Sequence, residues 1–166
     1  QWMPEDHPRV VTWAQFMDLR VGRRLLIANT HLPLGSDELR VRCANLIRER
    51  LNSIDLPMIL TGDFNSSPGS APYRVLTCRD QNDTDGDATF SDAWEVCTER
   101  AGSMATFHKF TGTPVRDDAR IDWILVRNGV RVDRVETVEF AVGGRYPSDH
   151  FPVVANIVVE CDEEGL

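Results

Sequence analysis

The chain has 166 residues, of which 42% are hydrophobic, and its formal net charge is −8. This length and apolar content predict a single domain over residues 1–166 with a sizeable core, and they exclude a disordered tail or a small disulfide-stapled scaffold. The acidic balance excludes a protein that coats nucleic acid through a broad basic surface, and no apolar run approaches the roughly 20 residues of a membrane helix.

The first third of the chain has the pattern of an α/β layer. Residues 10–17 and 24–29 are rich in strand-forming residues and predict a β-hairpin. Over residues 37–54 the apolar positions recur at steps of three and four, which predicts an amphipathic helix with Ser36 or the residue after it as its N-cap. A buried strand is predicted over residues 57–61. Strand, helix and strand in this order predict a parallel crossover.

The remainder of the chain alternates loops with further elements. Residues 81–87 predict a polar, solvated loop, since the aspartates there lack the late glutamate of a calcium loop. A helix is predicted over residues 92–101. Three strands are predicted over 122–127, 130–140 and 153–159.

Polar residues with catalytic chemistry stand at the edges of the predicted strands. The four segments are Asn29-Thr30-His31, Gly62-Asp63-Phe64-Asn65, Ile121-Asp122 and Ser148-Asp149-His150. An open α/β sheet presents its ligand site at the ends of its strands. The four segments are therefore expected to converge on one pocket.

Each segment also has a purely structural interpretation when it is taken alone. His31 fits a hydrogen-bonded histidine at a strand end, and residues 63–65 fit an Asx turn closed by its own side chains. Asp149 fits the cap of a helix or turn. A serine hydrolase based on Ser66 or Ser148 is disfavoured because the sequence has no Gly-x-Ser-x-Gly elbow.

Taken together, in this order and with these spacings, the four segments resemble the endonuclease/exonuclease/phosphatase superfamily, the deoxyribonuclease I-like enzymes. The sequence around these segments also resembles the family: Thr106-Phe107-His108 precedes residues 120–124, and residues 146–153 resemble the family's last motif with its flanks. The resemblance extends over almost all of residues 9–159. It implies a four-layer α/β sandwich, in which two packed β-sheets are flanked by helices and the site lies at one end of the sheets.

The resemblance also implies a reaction, the hydrolysis of a phosphoester by an activated water, as in a phosphodiesterase, nuclease or phosphatase. Asp63 would deprotonate or orient the water, and Asn65 would hold the same water or donate to a phosphoryl oxygen. His150, paired with Asp122, would donate to the phosphate, because a neighbouring carboxylate favours the charged imidazolium. His31 would lie on the leaving-group side as donor or acid.

The implied cofactor is Mg²⁺, with Mn²⁺ as an alternative, which would neutralise charge that develops on the phosphoryl oxygens. Asp149 is the metal-side carboxylate that the resemblance identifies. Substrate contacts are assigned to four residues, Asn29, His31, Asn65 and His150. The substrate itself stays open among nucleic acid, a phospholipid headgroup and a small phosphoester.

One part of the family pattern is missing. The family begins with a strand that ends in asparagine and with a Gln-Glu segment whose glutamate is the principal metal ligand, and Glu5 is the sole nearby candidate. The chain therefore resembles the family without its N-terminal strands, and by itself it is expected to bind Mg²⁺ weakly, to hydrolyse little and to self-associate through an uncovered apolar face or sheet edge. The alternative function is a catalytically silent or truncated domain of the same fold that serves binding or assembly.

Overall fold

A computed structural model describes residues 8–78, 89–117 and 119–159 of the chain. The elements in chain order are β1 (Val11–Asp18), β2 (Arg23–His31), α1 (Asp37–Asn52), β3 (Met58–Asp63), α2 (Ala71–Thr77), β4 (Ser91–Asp92), α3 (Ala93–Val96), β5 (Glu99–Ala101), β6 (Asp122–Arg127), β7 (Val130–Thr137) and β8 (Val153–Val159). Within the described residues, no helix has the length and apolar character that crossing a membrane requires.

The predicted hairpin and crossover are both confirmed. Strands β1 and β2 pair antiparallel, and β2 pairs parallel with β3 across the intervening helix α1. The hydroxyl of Ser36 caps α1 by accepting a hydrogen bond from the backbone N–H of Leu39. The helix ends at Asn52, two residues before the predicted end.

The helix predicted over residues 92–101 is wrong beyond its first turn. Helix α3 ends at Val96 because Cys97 is already extended. Residues Glu99–Ala101 instead form strand β5, which pairs parallel with β7. Sheet pairing with a distant strand thus outweighs a local helical pattern. Strand β7 stops at Thr137, short of the predicted end, and the loop predicted over residues 81–87 lies outside the described residues.

The strands form two sheets, of order β1-β2-β3-β6-β4 and β5-β7-β8. Helices α1 and α2 cover one face of the first sheet, where Leu26, Leu60 and Leu125 pack with Leu51. The other face packs on the second sheet through a separate apolar cluster. The fold is therefore the expected α/β sandwich of two packed sheets with flanking helices. The described residues form three of its four expected layers, a helical layer, the first sheet and the second sheet.

The inner face of the first sheet is covered only in part. Ile27 pairs with Ile59, so both side chains lie on the face toward the second sheet. Ile59 is 7% exposed, whereas Ile27 is 36% exposed and Phe16, on the same face of β1, is 50% exposed. We call Phe16 and Ile27 the open margin of this face. The margin lies on β1 and β2, and β1 is at the edge of the first sheet among the described strands.

Candidate active site

Strand register aligns three chemically active side chains across the first sheet. His31 pairs with Asp63 between β2 and β3, and Asp63 pairs with Asp122 between β3 and β6. Paired residues on neighbouring strands point to the same side of a sheet. These three side chains therefore form a row on the face toward the second sheet, where β2 and β3 end and β6 begins.

The turn after β3 holds the Asp63 carboxylate in a defined orientation. Its Oδ1 accepts a hydrogen bond of 2.8 Å from the backbone N–H of Asn65, and Asn65 has the left-handed φ of 48° that asparagine tolerates. The other oxygen, Oδ2, lies 3.2 Å from Nε2 of His31. The turn hydrogen bond and the contact with His31 thus involve different oxygens of the same carboxylate.

Close backbone packing next to this turn requires glycine at position 62. A Cβ atom built on Gly62 would lie 2.1 Å from the carbonyl oxygen of Thr30, so a side chain there would push β3 away from β2. Below the turn, the Phe64 ring stacks on the Trp123 ring with centroids 4.3 Å apart. Each aromatic residue directly follows a carboxylate of the row, so this stack fixes the strand ends that carry Asp63 and Asp122.

The fourth side chain, His150, reaches the row from the loop that leads into β8. Its Nδ1 lies 2.7 Å from Oδ2 of Asp122, and the Phe107 ring packs against the imidazole with centroids 4.9 Å apart. The hydrogen bond to Asp122 raises the pKa of His150, although burial opposes the shift. The opposite ring nitrogen, Nε2, lies 4.0 Å from Oδ2 of Asp63.

Thr106 holds the Asp122 carboxylate, and sequence reasoning did not give it this role. Its hydroxyl donates a hydrogen bond of 2.6 Å to Oδ2 of Asp122. The same hydroxyl accepts from the backbone N–H groups of Ile121 and Asp122 at 3.2 and 3.3 Å. Thr106 is fully buried. Its position in the segment Thr106-Phe107-His108, which resembles the family sequence, was the one signal that could have indicated a role in the site.

The site concentrates negative charge. Burial raises the pKa of Asp63, and the nearby Asp122 carboxylate raises it further, against the effect of the turn hydrogen bond from Asn65. Like charges directly opposite each other on paired strands are destabilising. Ligand atoms of Asp63, Asp122 and His150 lie within 4.8 Å of one another. A proton, the imidazolium or a bound cation can therefore compensate the two carboxylates.

The remaining predicted residues have different surroundings. The Asn29 amide donates a hydrogen bond of 2.8 Å to the Thr61 hydroxyl. The Asn65 amide donates to the carbonyl oxygen of Leu32 at 2.8 Å. The backbone carbonyl of Asp149 accepts from two amides, at 2.9 and 3.1 Å, and its carboxylate is not among the three groups that converge within 4.8 Å. Glu5 lies outside the described residues.

These groups open onto a cleft between the two sheets with a volume of about 470 Å³. Its lining includes Asn29, Thr61, Asp63, Asp122, Ser148 and His150. The volume falls within the range of small-molecule sites, and a few convergent polar groups in such a cleft are typical of them.

Comparison of the sequence with protein families agrees with the fold and the cleft. The profile of the Endonuclease/Exonuclease/phosphatase family matches residues 2–150, and the chain belongs to that family.

Three relatives illustrate the similarity. An endonuclease/exonuclease/phosphatase from Bacteroides vulgatus is 31% identical, with a TM-score of 0.79. The aligned part covers 92% of this chain and 56% of that protein's chain. A mannosyl-6-phosphatase from Bacteroides thetaiotaomicron is 29% identical, with a TM-score of 0.77, and the aligned part covers 91% of this chain and 57% of that protein's chain. Protein angel of Drosophila melanogaster is 40% identical over 90 residues, 51% of this chain and 25% of that protein. The chain therefore spans under two thirds of each of these relatives.

Proposed function

We propose that this protein hydrolyses phosphoester bonds with an activated water and a divalent cation. The observation that carries the proposal is the pairing of Asp63 with Asp122 across β3 and β6, together with His150, whose Nδ1 lies 2.7 Å from Oδ2 of Asp122. Paired carboxylates beside a protonated imidazole suit a reaction in which a proton leaves water while negative charge collects on a phosphoryl group.

Each residue of the row has a proposed role. Asp63 takes the proton of the water through Oδ2, and its raised pKa makes it a stronger base than an ordinary carboxylate. Asp122 orients His150 and favours its charged form, so Nε2 can donate to a phosphoryl oxygen. His31, whose side chain is 52% exposed, lies on the outer side of Asp63 and would serve the leaving group.

The two asparagines are proposed to contact the substrate. Asn29 lines the cleft beside Thr61. In the present geometry, the Asn65 amide is hydrogen-bonded to Leu32, which leaves its second amide hydrogen and its carbonyl oxygen for water or phosphate. Both residues therefore keep hydrogen-bonding capacity that a substrate can use.

The donor set fits a hard divalent cation. Asp63 and Asp122 supply carboxylate oxygens, the ligands that Mg²⁺ prefers, and Asp149 is the proposed additional metal-side carboxylate. His150 would stay outside the metal's ligands, because its Nδ1 is hydrogen-bonded to Asp122 and its Nε2 is the proposed donor to the phosphate. A bound cation would neutralise charge on the phosphoryl oxygens, while His150 is held by Asp122 and Asp63 stays directed at the cleft.

The proposed substrates are small phosphoesters, with nucleic acid and phospholipid headgroups as alternatives. Similarity to a mannosyl-6-phosphatase supports a small phosphorylated molecule. The net charge of −8 disfavours long duplex DNA, because phosphate backbones bind basic surfaces.

A catalytically silent role in binding or assembly is the second candidate, and the open margin favours it. Phe16 and Ile27 expose apolar surface next to the edge of β1 that pairs with none of the described strands. Such surface invites association, either with a second copy or with another segment. We propose self-association of the 166-residue chain through this margin.

A panel of phosphoesters, assayed with Mg²⁺, with Mn²⁺ and with chelator, tests the hydrolase proposal. Turnover should require the cation and should fall by about 10²- to 10⁴-fold in Asp63→Asn, which keeps the shape and removes the base. The matched control is Asp133→Asn, an exposed carboxylate paired with Arg131, which should keep full turnover. A folded protein without turnover under every condition would support the silent role instead.

A further inference from the structure

A second cavity lies along the same segment of chain as the candidate active site. It has a volume of about 480 Å³ and is lined by Phe140, Val142, Gly143, Arg145, Tyr146 and Pro147. We call it the ring pocket. Pro147 lines the ring pocket and the next residue, Ser148, lines the catalytic cleft. Adjacent residues of one segment therefore border the two cavities.

The walls of the ring pocket are held in place by specific contacts. Val142 and Arg145 exchange backbone hydrogen bonds of 3.0 and 3.1 Å across a tight turn. Gly143 and Gly144 form that turn with φ values of 57° and 73°, which glycine adopts without strain. The pocket is thus bounded on one side by a closed turn.

Tyr146 is fixed from behind. Its ring packs at 4.8 Å, edge to face, on the buried His108 ring, which in turn stacks on Phe151 of the catalytic cleft at 3.9 Å. A Cβ atom on Gly112 would lie 1.9 Å from the Tyr146 hydroxyl, so that hydroxyl fills the space beside the glycine backbone. The aromatic stack links the two cavities and presents a preformed surface to a ligand.

The chemistry of the lining selects a class of ligand. Phe140, Val142 and the ring of Tyr146 supply apolar surface, and Arg145 is the one charged group among the described residues of the lining. Among the described residues the Arg145 guanidinium has no hydrogen bond or ion pair. A sugar would meet one charged side chain, Arg145, and otherwise mainly apolar surface, so most of its hydroxyls would be buried without a partner, at a cost. A planar aromatic ring can instead stack on the aromatic side chains and under the guanidinium.

We propose that the ring pocket binds a planar heteroaromatic ring of the substrate while the attached phosphoester occupies the catalytic cleft. This proposal rests on the proposed function for the phosphoester part, whereas recognition of the ring is independent of catalysis. The preferred substrates are then phosphoesters that carry a nucleobase-like ring, with Phe140, Arg145 and Tyr146 as specificity-determining residues.

The test compares three probes by calorimetry with chelator present, so that turnover does not interfere. The probes are adenosine 5′-monophosphate, ribose 5-phosphate and adenosine. Adenosine 5′-monophosphate should bind about tenfold or more tightly than ribose 5-phosphate, the advantage expected for one stacked base. Phe140→Ala and Arg145→Gln should each reduce this ratio severalfold and leave the affinity for ribose 5-phosphate unchanged.

The matched control is Phe16→Ala, because Phe16 is 50% exposed and Phe140 is 52% exposed. It should leave the ratio unchanged. Equal binding of the two phosphates by the wild-type protein, or a ratio that survives both pocket variants, overturns the proposal. Adenosine separates the two hypotheses: if it binds through Phe140 and no phosphoester is hydrolysed, the ring pocket stands and the proposed reaction fails.

Discussion

The same face of the first sheet is covered over β3 and β6 and open over β1. Ile59 and Val126 are buried under the second sheet, whereas Phe16 and Ile27 are open to solvent. Alternation along a strand determines which face a side chain joins, but the neighbouring sheet determines whether that face is covered. The row of His31, Asp63 and Asp122 crosses from one region to the other, with Asp122 on the covered side and His31 on the open side.

The covered and open regions also differ in how far water screens their charges. The side chain of Asp63 is 17% exposed and that of His31 is 52% exposed. Water weakens the interactions of an exposed charge far more than those of a partly buried one. Residues on the covered side should therefore contribute more to catalysis than residues on the open side.

The largest expected difference is between the two histidines. His150→Gln should lower kcat by about 10²- to 10⁴-fold, because it removes the proposed cationic donor. His31→Gln should lower it by much less, since water can replace an exposed donor. Steady-state kinetics of the two variants under identical metal conditions provide the measurement, and a larger loss from His31→Gln would reverse the comparison.

The next effect concerns the open margin. Phe16→Lys should weaken self-association by roughly tenfold or more, because burying a Phe side chain is worth about 1.5–3 kcal/mol. Sedimentation of wild type and variant across a range of concentrations measures the change. Phe140→Lys is the control, an equally exposed Phe outside the margin. A wild-type protein that stays monomeric at all concentrations would contradict the prediction.

A smaller effect is expected on stability at the covered side. Asp63→Asn removes one of two opposed carboxylates, so the free energy of unfolding should rise by about 1 kcal/mol at neutral pH. The pKa of Asp63 is raised in the folded state, so the unfolded chain ionises first as pH rises past the ordinary carboxyl pKa, and the folded state loses stability until its own Asp63 ionises. The stability gained by Asp63→Asn should therefore grow with pH between these two pKa values. Denaturant unfolding with chelator present, from pH 3 to about pH 7, tests this.

The smallest effect is expected at the exposed turn of the first hairpin. Hydrogen bonds from Arg20 lower the pKa of Asp18 to about 2. A depressed carboxyl pKa gives stability that is present above the ordinary carboxyl pKa and lost as pH falls toward 2. Asp18 and Arg20 are on the surface, so Asp18→Asn should change the unfolding midpoint by less than Asp63→Asn at neutral pH. An equal or greater change would show that the hairpin turn is more strongly coupled to the fold.

Local sequence pattern was sufficient to predict much of the fold and the polar residues at the strand ends. Helix α1, the hairpin and the parallel crossover follow from periodicity within continuous segments. The missed strand β5 depends on pairing with β7, which no local pattern contains. The alignment of His31, Asp63 and Asp122 in one row depends on register.

The supporting contacts of the site were harder to predict for the same reason. The role of Thr106 depends on its contact with Asp122, a residue 16 positions later in the chain. The Asn65 amide is engaged by Leu32, which lies 33 positions earlier. Sequence identifies the residue types that can do the chemistry, while the partners that hold them are set by tertiary packing.

The stack of Trp123 on Phe64 gives the protein an internal optical reporter. Trp123 is buried and directly follows Asp122, whereas Trp13 is half-exposed on β1. Acrylamide should therefore quench Trp13 emission readily and leave a blue-shifted component from the buried indoles. That component comes from Trp94 in the cluster between the sheets as well as from Trp123, so its loss would report unpacking of the sheets or of the strand ends at the cleft, and not of the hairpin.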